Sequence, residues 1–508
     1  MLVCLVLGGV FLSSCTTDTA GTNKSIVKPS DLALGTADYA LETYREEIIE
    51  TLSHLVAFAT VKVDGVENID NPEFKGMTDY LRMKSEELGL EFQDHGAVVI
   101  ISLGESGDRL GLITHGDVQP ADSSKWRRSP FELDVESEPD RLIARGTEDD
   151  KGPIAIALYA MKALKDKAVE LDRRVELIIS YTEESDWTPM VQFLEGYEAP
   201  QLNIALDSRY PVVTAEKGWC TIQFELPLNS SKPDPTEPFL KSFTGGAFMS
   251  QVPEDAVAVI ENASDELRQR LENAVSRDSE VQYTFQREGS LLTITALGKS
   301  AHSSEPKEGV NAISHLGVLL ASEDWPESTS ATYVKLIDDL IGTGYYGEKF
   351  GDIAYSHEFM GPLTLSLSLV HEKDDKHILG INLRRPAGKE HRDLEDEIRL
   401  AIKRWQEENN IGELPVDIYL GDPHLIEDAP HIPVLLGVFS HYTGEENPQP
   451  LAASGGTHAR LLPNGVSFGP HMPGRAYSGH SEYEYLLYEE LDLDIKMYTA
   501  MLVDLVSK

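Results

Sequence analysis

Cysteine is scarce in this chain: Cys4, Cys15 and Cys220 are all that 508 residues hold. A zinc site built on four thiolates is therefore excluded, and any metal has to be held by histidine and carboxylate. Positive charge is also short. Lys and Arg number 44 against 85 Asp and Glu, for a net charge of −41. Such a surface repels phosphate backbones and anionic lipid head groups, which excludes nucleic-acid partners. Internal repeats and long low-complexity segments are absent as well. The apolar run that opens the chain, about a dozen residues, is too short to span a hydrocarbon core of ~30 Å.

What is present describes a folded protein, with 41% apolar residues and enough length for two or three domains. The opening run MLVCLVLGGVFLSSC fits a signal-peptide core, and its last four residues, Leu12 to Cys15, resemble a bacterial lipobox. That resemblance implies a signal over residues 1–15, a lipid on Cys15, a polar tether over 16–30 and a place in the bacterial cell envelope, outside the cytoplasm. The lipid would be the only membrane contact. No Lys or Arg precedes the run, and if it is no leader the expected location is the cytoplasm. With Cys4 removed and Cys15 lipidated, Cys220 has no partner for an intrachain disulfide.

Apolar residues recur at helical spacing over 37–57 and 76–89. Short β-rich runs follow at Val98–Leu103, Leu110–Thr114, Arg141–Ala144, Val175–Tyr181 and Asn203–Leu206, with helical stretches Pro153–Leu164 and Pro189–Tyr197 among them. This alternation predicts an α/β fold with a mixed, largely parallel sheet and helices on both faces. After Lys217 the pattern becomes α+β, with strands at Trp219–Leu226, Leu291–Leu297, Pro362–Val370 and Ile378–Arg384 and a helix at Asp393–Trp405. From Pro423 a helix at Pro433–Tyr442, a strand near Val466 and a helix at Glu489–Val506 return to the first pattern. The expected organisation is a discontinuous catalytic domain, 31–217 and 423–508, interrupted by an inserted lid domain, 218–422.

Chemistry concentrates where strands end. His115 and Asp117 flank Gly116 after the second apolar run, and residues two apart in a strand share a side. An aspartate there can fix the tautomer of a ligating histidine. Glu148, Asp149 and Asp150 precede Lys151-Gly152-Pro153, a helix start. One acid before a helix is ordinarily a cap; three are not explained that way. Glu183 and Glu184 follow the next strand, and neighbouring side chains diverge in extended backbone, so that one can bind a metal while the other faces a water. Asp207 ends the strand after that. Open α/β sheets place their sites at such ends. Carboxylates converging on one crevice repel unless cations lie between them, and oxygen ligands with histidine suit two Zn²⁺ about 3.5–4 Å apart.

In chain order, THGD (114–117), GTEDDKGP (146–153), TEES (182–185), ALDSRYP (205–211), SGGTHARLL (454–462) and GPHMPGRAYSGHSE (469–482) resemble the zinc peptidase family of acetylornithine deacetylase, succinyl-diaminopimelate desuccinylase, carnosinase and dipeptidase V. DDKGP, EKGW and the long insert are most similar to the dipeptidase V branch. The resemblance implies that His115 and Asp207 hold one zinc, Glu184 and His480 the other, and that Asp149 bridges them, with Co²⁺ or Mn²⁺ as alternative ions. It implies further that Asp117 orients His115 and that Glu183 is the general base. From the lid, His302 in GKSAH would polarise the scissile carbonyl and Arg384 in NLRRP would receive the substrate carboxylate, with Arg385 the competing candidate. Gly455, Gly456 and Thr457 would approach the product carboxylate. Ser250, in SQVP, stands where the family often has asparagine. An insert this long implies a site completed within one chain, hence a monomer.

The expected function is hydrolysis of dipeptides by metal-activated water. Two other readings share the motifs: an N-acyl amino acid deacylase on the same centre, and a surface-tethered binding protein without turnover.

Overall fold

The computed structural model describes residues 26–228, 236–275 and 280–508. The expected signal, Cys15 and the tether up to residue 25 lie outside the described residues. Cys220 is buried and free. Among the described residues no helix is long and apolar enough to cross a membrane.

Two sheets organise the chain. The first has four parallel strands at its centre, in the order Arg174–Ser180, Arg109–His115, Leu202–Ala205, Gly465–Ser467. Their Val, Leu and Ile runs are buried on both faces, as central parallel strands must be. Antiparallel strands flank them: Val98–Leu103 and Glu91–Asp94 on one side, Val213–Glu216 and His424–Leu425 on the other. Helices Asp31–Val56, Lys151–Asp166, Ile432–Thr443 and Tyr488–Val506 bury one face. The other face packs Val98, Ile100, Ile113 and Ile178 against Met190 of the helix Thr188–Gly196. The fold is thus α/β with a mixed sheet, parallel at the centre, in which Leu451–Ala453 also runs parallel to Val213–Glu216.

One expected sheet strand lies elsewhere. Arg141–Ile143 pairs antiparallel with Tyr485–Leu487 in a separate two-stranded ribbon. A strand has only two edges, and both edges of Arg109–His115 are taken, by Arg174–Ser180 and Leu202–Ala205. The acidic loop with Asp149 therefore hangs from this ribbon, not from the sheet.

The second sheet is antiparallel throughout its eight strands, from Gln282–Glu288 at one edge to Val416–Leu420 at the other. Its outer strands alternate: Leu292, Ile294 and Ala296 are buried and their neighbours are not, the pattern of a sheet with one covered face. Helices Ala312–Leu320, Thr329–Leu336 and His391–Asn409 cover that face. The two sheets have separate apolar cores, one drawing on 33–212 and 429–506, the other on 220–420.

Candidate metal centre

His115 is the last residue of its strand and is buried. Its Nε2 faces Asp149 Oδ1 at 2.8 Å and Asp207 Oδ2 at 3.7 Å. The other oxygen of Asp149 faces His480 Nε2 at 3.1 Å, and Glu184 Oε1 lies 2.8 Å from that same nitrogen. Asp149 thus stands between two imidazoles, with Asp207 beside one and Glu184 beside the other. Ligand atoms of His115, Asp149 and Glu184 lie within 4.8 Å of one another, as do those of His115, Glu183 and Asp207.

The electrostatics call for added positive charge. Burial pushes Asp207 up to about 6, with Asp149 and Glu184 adding to the rise against the pull of His115. Burial, and then Asp207, raise Glu183 well above the usual carboxylate range. Burial alone would lower His115, but Asp207, Asp117 and Asp149 hold it well above its ordinary value. Glu184 Oε1 is buried and makes no hydrogen bond, although the His480 ring nitrogen is near. Close contact without hydrogen-bond alignment is how two ligands of one ion meet. Imidazole nitrogens and carboxylate oxygens fit divalent zinc, cobalt or manganese.

Backbone hydrogen bonds hold these residues in place. Asp117 accepts from the Glu183 amide at 3.1 Å through Oδ1 and from the Glu184 amide at 3.0 Å through Oδ2. Its carboxylate lies 3.6 Å from His115 Nδ1, while its own carbonyl oxygen lies 2.9 Å from that nitrogen. The expected orienting of His115 therefore comes from the backbone of Asp117, because its side chain is committed to the two glutamates. These sit in a turn, not in extended chain. Among the described residues nothing donates a hydrogen bond to the Glu183 carboxylate.

Three further contacts hold the ligand-bearing loops. Glu484 accepts from the amides of Gly146, Glu148 and Asp149 at 2.9, 2.8 and 3.0 Å and pairs with Arg145 at 2.9 Å. Glu148 accepts from the amides of Ser478 and Gly479 at 3.0 and 3.1 Å, fixing the turn before His480. Tyr477 donates to Asp149 Oδ2 at 2.5 Å. Glu484 lies outside the motifs and Glu148 and Tyr477 inside them, but all three contacts couple segments far apart in sequence, so no local spacing marks the pairing.

The second sheet's side of the cleft supplies His302, whose ring lies 6.5 Å from that of His480, edge to face. A two-residue ladder, Gln251↔His302 and Val252↔Ala301, holds it, and the Ser303 amide donates to the Ser250 carbonyl at 2.9 Å. The Ser304 amide donates to His302 Nδ1 at 3.3 Å, which assigns the ring proton to Nε2. Burial, Arg384 and His480 push this ring down to about 3, so it is neutral. Arg384 is buried and makes one side-chain hydrogen bond, to Asn382 Oδ1 at 3.3 Å, with no carboxylate partner among the described residues. Arg385, by contrast, pairs with Asp422 at 3.3 Å and donates to the Lys389 carbonyl. Thr457 spends both its amide, at 3.1 Å, and its hydroxyl, at 2.8 Å, on Glu216. Gly455 has open space above it, whereas a Cβ on Gly456 would stand 2.8 Å from Arg460 Nη1.

A cleft of this kind, buried acids and imidazoles facing a neutral histidine and an arginine without an acidic partner among the described residues, suits a metal-dependent hydrolase. Residues 111–504 match the model of Peptidase family M20/M25/M40. A Staphylococcus saprophyticus protein named "Putative dipeptidase" is 31% identical over 479 residues, covering 92% of this chain and 98% of its own. A Staphylococcus aureus protein of the same description is 30% identical over 466 residues, covering 89% and 95%. Among solved structures, human carnosine dipeptidase 1 aligns with a TM-score of 0.56 at 15% identity over 94% of this chain and 99% of that one. The di-peptidase Dug1p of Saccharomyces cerevisiae aligns with a TM-score of 0.53 at 12% identity over 93% and 98%. The chain belongs to Peptidase family M20/M25/M40 and is a peptide-bond hydrolase.

Proposed function

We propose that the protein is a dipeptidase working through two divalent cations, zinc in the first instance, held by His115 and Asp207 on one side, Glu184 and His480 on the other, and Asp149 between. The observation that carries this reading is Asp149, whose two oxygens face two different imidazoles at 2.8 and 3.1 Å. Relatives named as dipeptidases, matched along nearly their whole length, support the substrate class. Cations there would lend Lewis acidity and lower the pKa of a water.

Glu183, free of donors, takes a proton from the attacking water as its oxygen bonds to the carbonyl carbon. When the C–N bond breaks, the same carboxyl returns the proton to the leaving amine. His302 donates from Nε2 to the oxygen on which charge develops, and its neutrality keeps it a donor without drawing carboxylates to itself. Arg384, lacking an acidic partner, receives the substrate carboxylate. Because His302 reaches His480 within one chain, a monomer suffices.

The test is a screen of metal-loaded protein against dipeptides, dipeptide amides and N-acetyl amino acids, with released amine quantified. Dipeptides should be the best substrates. Preferential cleavage of N-acetyl amino acids would make the protein a deacylase, and no turnover on either set would leave only a binding role. Asp149→Ala should lose metal along with activity, and normal zinc content in that variant removes Asp149 as the bridge.

A further inference from the structure

Tyr477 lies inside the segment GPHMPGRAYSGHSE without being one of its expected ligands, and it stands on the centre itself. Its hydroxyl donates to Asp149 Oδ2, the oxygen that faces His480. Its ring lies between two imidazoles, edge-on to both, with centroids 5.6 Å from His471 and 6.0 Å from His480. The residue is 48% exposed, while its hydroxyl is spent on Asp149. The loop that carries it is pinned from both sides. Glu148 accepts from His471 Nδ1 at 3.1 Å and from the Ser478 and Gly479 amides, and Arg475 pairs with both Glu148 and Glu490. The direction of the hydroxyl is therefore set by the fold.

A carboxylate between two cations has its lone pairs divided among several partners, and rotation about the Cβ–Cγ bond changes the division. A donor fixed on one oxygen removes that freedom and leaves the remaining lone pairs for the ions. We propose that Tyr477 is a positioning residue for the metal pair, acting through the hydrogen bond from its hydroxyl to Asp149. This rests on the metal-centre reading above. Partners of this kind around metal ligands are worth about 10–100-fold in metal affinity or activity.

The experiment strips the full chain with chelator and titrates it with Zn²⁺ against a chromophoric competitor. The visible spectrum of the Co²⁺ form is recorded beside it. Tyr477→Phe keeps the ring and should bind Zn²⁺ about 10–100-fold more weakly, with altered Co²⁺ bands and an unchanged apo-protein melting temperature. Tyr477→Leu should lose no more than the phenylalanine variant. Wild-type affinity and spectrum in Tyr477→Phe overturn the proposal. A loss confined to Tyr477→Leu overturns it too, because the ring and not the hydroxyl would then matter. A weakening that appears only with a lowered apo melting temperature is a folding defect and overturns it as well. A wild-type chain that takes up neither ion refutes the metal reading itself, a result distinct from all of these.

Discussion

Around Asp149 the first core ends in buried acids and imidazoles, whereas the core of the second sheet is mostly Leu, Ile, Val, Ala and Phe, with Cys220, Tyr333 and Trp405 among them. The two regions hold their functional groups by different means. Glu484 takes three backbone amides and a guanidinium, Asp117 two amides, and Glu148 two more. Buried charge is tolerated only when so compensated, and here the compensation also fixes the loops that bear the ligands. His302 is held by a two-residue ladder and by Ser304, and Arg384 by a ten-residue strand paired on both edges, with its guanidinium on Asn382 Oδ1. On the proposed reading, the first region serves the chemistry and the second, whose Arg384 has no acidic partner among the described residues, the choice of substrate.

The largest effect that would sharpen this division belongs to Glu183. Glu183→Gln removes the proton carrier and should lower kcat by about 10²–10⁴-fold. Zinc content should not change, because Asp117 still holds the backbone of residues 183 and 184. If the variant also loses metal, Glu183 is a ligand and the separation of chemistry from metal holding breaks down. Arg384→Ala comes next. Charge-assisted hydrogen bonds to a carboxylate are worth about 1.5–3 kcal/mol, so kcat/KM for dipeptides should fall roughly 10–150-fold. Dipeptide amides should be cleaved as by wild type. An equal loss on both would mean that Arg384 shapes the cleft and does not read the carboxylate.

Much of this was legible in the sequence because it is local. Runs such as Leu110–Thr114 read as buried strands, and the acids at their ends mark a crevice. Pro153 after three acids marks a helix, which the structure begins at Lys151. Pairing partners are not local. Arg141–Ile143 has the composition of a sheet strand, yet its partner is Tyr485–Leu487. Asp117 two residues after His115 looks like a carboxylate aimed at the ring, yet the turn at Glu183 draws it away. Glu484 resembles any surface acid in an acidic chain until the fold carries it beneath Asp149. Each miss is a hydrogen bond closed over a long loop, which no periodicity encodes.

The smallest effect addresses whether the two cores are separate units at all. Ile179 and Ile381 are fully buried, one in each core. Removing one methylene from either should cost about 0.5–1.5 kcal/mol. Hydrogen exchange read region by region should show Ile179→Val weakening protection around the first sheet and Ile381→Val weakening it around the second. A bound ion stabilises whatever unit must unfold to release it, by about 4 kcal/mol when the ion is a thousandfold above its Kd. Added zinc should therefore restore protection in Ile179→Val and leave Ile381→Val as it was, because the five proposed ligands all lie outside the second sheet. If zinc restores both equally, the two cores open together. The second core would then share the rigidity of the first, and substrate choice would have to be set by side chains alone.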